Sequence, residues 1–163
     1  MPFFTGEHES RIGAKRRLAI GSALREEASE GDGNQFYLVL GPEGHLWLYP
    51  DNYYRKLAQS MRRSILPSQK NRKLSLFFAM ARLLKPDAQG RVILPEKSVQ
   101  RAGLESVEEV TLVGEQDHIE IWPTDEWEKH LEEHMPNYSE ALYEAAEALE
   151  AEQRGMDAAQ QSP

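Results

Sequence analysis

A nine-residue phrase occurs twice in this chain, and it limits the possible folds more than any other feature. The clearer copy is Asp87-Ala88-Gln89-Gly90-Arg91-Val92-Ile93-Leu94-Pro95. A polar turn with a glycine hands a basic residue to a short apolar run, which a proline ends. Glycine permits a positive φ at the turn, and Val92-Ile93-Leu94 favours a strand. Pro95 cannot donate to a ladder and stops it. The earlier copy reads Gly13-Ala14-Lys15-Arg16-Arg17-Leu18-Ala19-Ile20-Gly21, 74 residues before, with Arg17 on Arg91 and Ile20 on Leu94. A second match follows each copy. Gly44-His45-Leu46-Trp47-Leu48-Tyr49-Pro50 echoes Asp117-His118-Ile119-Glu120-Ile121-Trp122-Pro123, now 73 apart, and Tyr54 and Trp127 then hold equivalent places. A repeat of this length predicts two copies of one small unit.

The second copy resembles the motif of the MraZ transcriptional regulators, which carry two SpoVT/AbrB-like motifs of form Asp-x-Lys-Gly-Arg followed by apolar-x-apolar-Pro. Asp87, Gly90, Arg91 and Pro95 match it, with Gln89 in place of lysine. The first copy keeps Lys15 and Arg17 but has Gly13 for the aspartate, Arg16 for the glycine and Gly21 for the proline. The resemblance covers roughly residues 3 to 135. It implies an α+β fold in which two pseudo-symmetric repeats form a small swapped β-barrel, with peripheral helices and a C-terminal helical tail. It also implies a ring-like homo-oligomer that binds direct repeats in promoter DNA upstream of division and cell-wall genes. The expected segments are 3–50 for the first repeat, 51–84 for a helical connector, 85–135 for the second repeat and 136–163 for an acidic Ala/Glu-rich tail.

Charge first argues against a nucleic-acid partner, because the net is −8. The charge is segregated, however. Residues 1–91 hold 15 Lys/Arg against 9 Asp/Glu, whereas residues 92–163 hold 4 against 18. A basic first part can attract phosphates while an acidic second part keeps the particle soluble. An acidic solvated tail alone would give the same asymmetry. No apolar run approaches the ~18 residues of a membrane span, and Met1-Pro2-Phe3-Phe4-Thr5-Gly6-Glu7 has no basic leader. The absence of cysteine removes disulfides and thiolate zinc sites. A cytoplasmic, nucleoid-associated protein is expected.

Local signals place the elements. Phe3 to Gly6 could form an edge strand, and Leu18-Ala19-Ile20 a short one. Ser22 to Ala28 reads as a helix capped by Ser22. Phe36–Leu40 and His45–Tyr49 read as a hairpin, as do Glu109–Val113 and His118–Trp122. Helices are expected over Asn52–Met61, about Gln69 to Leu83, Glu96–Ala102 and Thr124 to about Met135. Ser139 to about Gln153 reads as a marginal helix fraying through Gly155 to Pro163. Arg62, Arg63, Lys70, Arg72, Lys73 and Arg82 add cations to the connector, where a solvated face is the expected reading.

The paired basic turns are the best functional signal. Lys15, Arg16, Arg17, Gln89 and Arg91 are the candidate DNA-binding residues, since an exposed arginine can fork to phosphate or to guanine O6 and N7. A structural reading stands beside this one: Asp87, four residues before Arg91, could hold it within the turn. Gly13 removes that partner from Arg17. His130-Leu131-Glu132-Glu133-His134 formally matches an inverted zinc-protease signature, but a third ligand is not evident, and a solvated helix face is expected. The paired aromatics Trp47, Tyr49, Trp122 and Trp127 fit packing better than base stacking. There is no phosphate loop after a strand, no Gly-x-Ser-x-Gly elbow and no thiol nucleophile, so neither an enzyme nor a cofactor is expected. Double-stranded DNA and further copies of the chain are the expected partners, with no membrane or small-molecule substrate. The alternative is an oligomeric interaction scaffold with weakened DNA binding, suggested by the altered first motif.

Overall fold

The computed structural model describes residues 1–61 and 75–161. Residues 1–124 and 125–163 are two separately compact units. In the first unit the strands are β1 (Glu7–Arg11), β2 (Arg17–Ala19), β3 (Phe36–Leu40), β4 (Leu46–Pro50), β5 (Arg82–Leu84), β6 (Arg91–Ile93), β7 (Glu109–Gly114) and β8 (Ile119–Pro123). Helices α1 (Ser22–Arg25), α2 (Asp51–Ser60) and α3 (Glu96–Arg101) accompany them.

Six strands form one antiparallel sheet in the order β1-β7-β8-β4-β3-β5, and β2 and β6 form a separate two-stranded ribbon. The order reflects the internal repeat. Hairpins β3–β4 and β7–β8 meet through β4 and β8, with Leu46 opposite Ile121 and Leu48 opposite Ile119. The strands outside them are exchanged. β1 from the first half pairs with β7 of the second, and β5, which leads into the second motif, pairs with β3 of the first. The motifs themselves pair as β2 with β6, Leu18 facing Val92. Neither half is complete without a strand from the other. The six-stranded ladder ends at β1 and β5.

Burial explains why this arrangement holds. Leu18, Ile20, Leu24, Val92, Leu94 and Val99 enter one core with Phe4, Phe36, Leu38, Leu46, Leu48, Leu112, Ile119 and Ile121. Leu18, Ile20, Val92 and Leu94 have no exposed surface. Each such side chain contributes about 1.5–3 kcal/mol by leaving water. The same apolar positions are therefore filled in both copies. A second cluster of Val39, Tyr49 and Tyr54, with Tyr37, Phe77 and Phe78 packed on it, includes α2.

Several expectations need correction. The connector helix does not reach Leu83, because Arg82–Leu84 is strand β5. Leu84 is buried opposite Phe36, and Lys85 precedes Pro86, a position that disfavours helix. Residues 75–79 are helical, while the start expected near Gln69 and the cations Arg62, Arg63, Lys70, Arg72 and Lys73 lie outside the described residues. Phe4 makes only an isolated bridge to Gln116, and the edge strand begins at Glu7. Gly21, not Ser22, is the N-cap of α1, and the helix ends at Arg25.

The second unit, described on its own, carries most of α4 (Thr124–His134), a 3-10 turn over Met135–Asn137, and α5 (Tyr138–Gln161). Helix α5 does not fray at Gly155; it continues to Gln161. The dense Ala and Glu content offsets one unfavourable glycine. No helix among the described residues is long and apolar enough to cross a membrane.

Candidate nucleic-acid interface

The β2–β6 ribbon decides where the candidate residues point. Its register sets Arg17 opposite Ile93, Leu18 opposite Val92 and Ala19 opposite Arg91. Side chains alternate across a strand, so Leu18 and Val92 face the core and the other four share the outer face. Arg17 and Arg91 thus lie diagonally on one surface, where such Cα atoms are about 7–8 Å apart. Arg17, Ala19 and Ile93 are exposed and Arg91 is half-buried. The two basic turns flank opposite ends of the ribbon. Leu94 N–H donates to the Arg16 carbonyl at one end (2.9 Å), and Ile20 N–H donates to that of Gly90 at the other (2.9 Å). Three residues per strand span roughly 10 Å, close to the ~12 Å width of a major groove.

Both turns close with the same backbone bond, but Lys15 is left-handed where its counterpart Gln89 is not. Gly13 N–H donates to Arg17 O at 2.8 Å, and Asp87 N–H donates to Arg91 O at 2.9 Å. Side-chain chemistry differs. Asp87 Oδ1 accepts the backbone N–H groups of Gln89 and Arg91, both at 2.9 Å, and its Oδ2 accepts Arg91 Nε–H at 2.9 Å. The Arg91 backbone N–H is the largest influence holding the Asp87 carboxyl below its ordinary range, and the Gln89 N–H and the guanidinium add to it. The structural partner foreseen for Arg91 is therefore present. Gly13 gives Arg17 no such partner.

In the first turn Lys15 and Arg16 both adopt left-handed backbone, with φ of 59° and 58°. Such residues cost of order 1 kcal/mol or more and cluster at functional turns. Lys15 is exposed, while Arg16 folds back so that its Nε–H donates to Leu94 O at 2.9 Å. Arg11, just before this turn in sequence, pairs with Glu108 at 3.3 Å.

Sequence reasoning missed Arg25. Its Nε–H donates to Ile20 O at 2.9 Å, and its guanidinium lies against Gly90, whose φ is +80°. A Cβ at Gly90 would fall 2.6 Å from Arg25 Nε. Ile20 and Leu94 are repeat counterparts, so each of their carbonyls receives one arginine. Arg16 comes from the turn and Arg25 from α1. No repeat alignment reveals this, because the counterpart of Arg25 is the buried Val99.

The remaining candidates sit elsewhere. Tyr49 and Trp122 are buried and Trp47 is half-buried. His45 stacks on Trp122 at 3.8 Å, and His118 stacks on Trp47 at 4.0 Å. His118 also bridges Asp117 (2.8 Å) and Glu120 (3.0 Å). His130 and His134 are ring neighbours at 4.4 Å. Among the described residues no group of three or more potential metal ligands is assembled.

Comparison with known proteins matches the chain to the family model described as "MraZ protein, putative antitoxin-like" twice, over residues 3–75 and 77–149. Three relatives named "Transcriptional regulator MraZ" illustrate the similarity. The one from Pediococcus pentosaceus is 36% identical over 140 residues, covering 84% of this chain and 92% of the relative. Those from Pelotomaculum thermopropionicum and Micrococcus luteus are 33% and 31% identical over 138 residues, each covering 84% of this chain and 91% and 92% of the relative.

Proposed function

Because the chain belongs to the MraZ family, we propose that it is a DNA-binding transcriptional regulator that uses the outer face of the β2–β6 ribbon and its two flanking turns. The observation that carries this reading is the placement of Arg17 and Arg91 on one solvent face of a paired ribbon, with Lys15 beside Arg17 and Gln89 beside Arg91. An antiparallel ribbon fits a major groove, and arginine is the commonest reader of guanine there.

One subunit offers few phosphate contacts. Each neutralised phosphate contributes about −0.9 to the log–log salt slope, so a single ribbon binds weakly. Repetition in a ring-like homo-oligomer, its strands closing into a swapped barrel, would multiply the contacts and match evenly spaced direct repeats in promoter DNA. By resemblance those promoters lie upstream of division and cell-wall genes, and the protein works in the cytoplasm at the nucleoid.

Fluorescence anisotropy on a duplex from the region upstream of the chain's own gene tests the reading. Arg17→Ala should weaken binding about tenfold or more at moderate salt for each subunit engaged. Unchanged affinity would remove Arg17 from the interface. Absence of any binding by the unaltered protein at low salt would favour the interaction-scaffold alternative.

A further inference from the structure

The two turns close with the same hairpin bond but differ in their polar side chains, above all in the carboxylate of Asp87, and that difference has a functional reading. We propose a division of labour: the second turn, Asp87 to Arg91, reads bases, and the first, Gly13 to Arg17, grips backbone phosphates. This rests on the DNA-binding reading above and goes beyond it by assigning unequal roles to the two motifs.

Arg91 is aimed before DNA arrives. Asp87 Oδ2 holds its Nε–H at 2.9 Å, while Asp87 Oδ1 is itself fixed by the Gln89 and Arg91 backbone N–H groups. The guanidinium is anchored by one edge, and its two terminal nitrogens make no further bond among the described residues. A planar fork held in one orientation is what paired recognition of guanine O6 and N7 requires. Gln89, two residues before, adds an amide able to pair with adenine.

The first turn has the opposite character. It carries three successive cations, Lys15, Arg16 and Arg17, and no acid between Gly13 and Gly21. Arg17 and Lys15 are exposed and have no side-chain partner among the described residues. Untethered cations attract phosphate without demanding one geometry, so they contribute affinity and salt dependence rather than discrimination.

Sterics do not force this difference. Gly13 has φ −87° and ψ −165°, ordinary for any residue. A Cβ there would meet only Arg17 O, at 3.8 Å, an unstrained contact. Position 13 therefore admits a side chain without strain at its Cβ.

The test measures anisotropy with two duplexes, one from upstream of the chain's own gene and one scrambled, each across a salt series. Arg91→Lys keeps the charge but loses the fork. It should lower the own-to-scrambled affinity ratio about tenfold or more and leave the salt slope nearly unchanged. Asp87→Asn, which keeps Arg91 but loosens it, should lower the ratio less. Arg17→Gln should weaken both duplexes alike and flatten the slope by about 0.9 per subunit engaged. Gly13→Asp should raise the ratio. Thermal midpoints confirm that each variant is folded. An unchanged ratio in Arg91→Lys, or a ratio lost equally in Arg17→Gln, overturns the division of labour. If the unaltered protein binds neither duplex at low salt, the regulator reading fails first and takes this inference with it.

Discussion

Residues 13–21 and 87–95 share a buried frame and a closing bond but differ in sequence, and the comparison separates what the fold needs from what the surface uses. The apolar positions are kept: Leu18 and Val92, Ile20 and Leu94 are all fully buried. The hairpin bond is kept as well, from Gly13 to Arg17 and from Asp87 to Arg91. Even the ends agree, since Gly21 takes φ −60° and ψ 154° where Pro95 takes −62° and 141°. The polar residues have diverged around this frame. The backbone is specified from inside, which leaves the outward face free to change.

The largest expected effect tests that claim directly. Ile20→Ala and Leu94→Ala should each cost about 2–5 kcal/mol in denaturant unfolding. The two costs should agree within about 1 kcal/mol, because both side chains are fully buried in the same core. A marked inequality would mean that one copy carries the ribbon and the other follows it.

How much of this was readable beforehand depended on where the information sits. Apolar runs announced β3 and β7, and the repeat announced that there are two units. The exchange of strands was not readable, because Glu7-His8-Glu9-Ser10-Arg11 is an edge strand with no apolar alternation and its partner lies about a hundred residues away. β5 was hidden by a helical-looking apolar pattern, which pairing with β3 overrides. Of the candidate interface, Lys15, Arg17, Gln89 and Arg91 were found by motif. Their convergence on one ribbon face appears only once β2 and β6 are known to pair. Arg25 was invisible for a further reason: it stands in for a residue that is not its counterpart.

That substitution supplies the next test. In the first turn Arg16 fills the space beside Leu94 O with its own side chain, and the α-helical counterpart nearby is the apolar Val99. In the second turn Gly90 has no side chain, and Arg25 enters from α1. The pairs Arg16 with Val99 and Gly90 with Arg25 are two solutions to one packing problem. Gly90→Arg alone places a Cβ 2.6 Å from Arg25 Nε and 2.8 Å from Ile20 O, and should be clearly destabilising. Adding Arg25→Val clears the guanidinium and leaves only the contact with the Ile20 carbonyl. The double variant should recover about 0.5–3 kcal/mol relative to additivity in thermal or denaturant unfolding. Strict additivity would show that the two arginines are not equivalent.

The smallest effect concerns the second repeated stretch, where the halves differ in the charges around a histidine. His118 Nδ1 meets Asp117 at 2.8 Å and its Nε2 meets Glu120 at 3.0 Å, and the corresponding positions beside His45 are Gly44 and Trp47. A ring can donate from both nitrogens only as the cation. Burial opposes that charge, but the bonds to Glu120 and Asp117 outweigh it, so the His118 pKa lies above its ordinary value of about 6.5. Burial also works to raise Glu120, yet His118 and Trp122 Nε1–H, at 2.9 Å, pull it below its usual range. A group whose pKa rises on folding stabilises the protein fully below its unfolded value and loses that contribution as pH climbs through the folded one. The thermal midpoint should therefore decline as pH rises above about 6.5, and His118→Gln should flatten that decline. The gain is modest because desolvation cancels part of it. A profile equally steep in the variant would place the titration outside this hairpin and leave His118 a packing residue, stacked on Trp47 like its counterpart on Trp122.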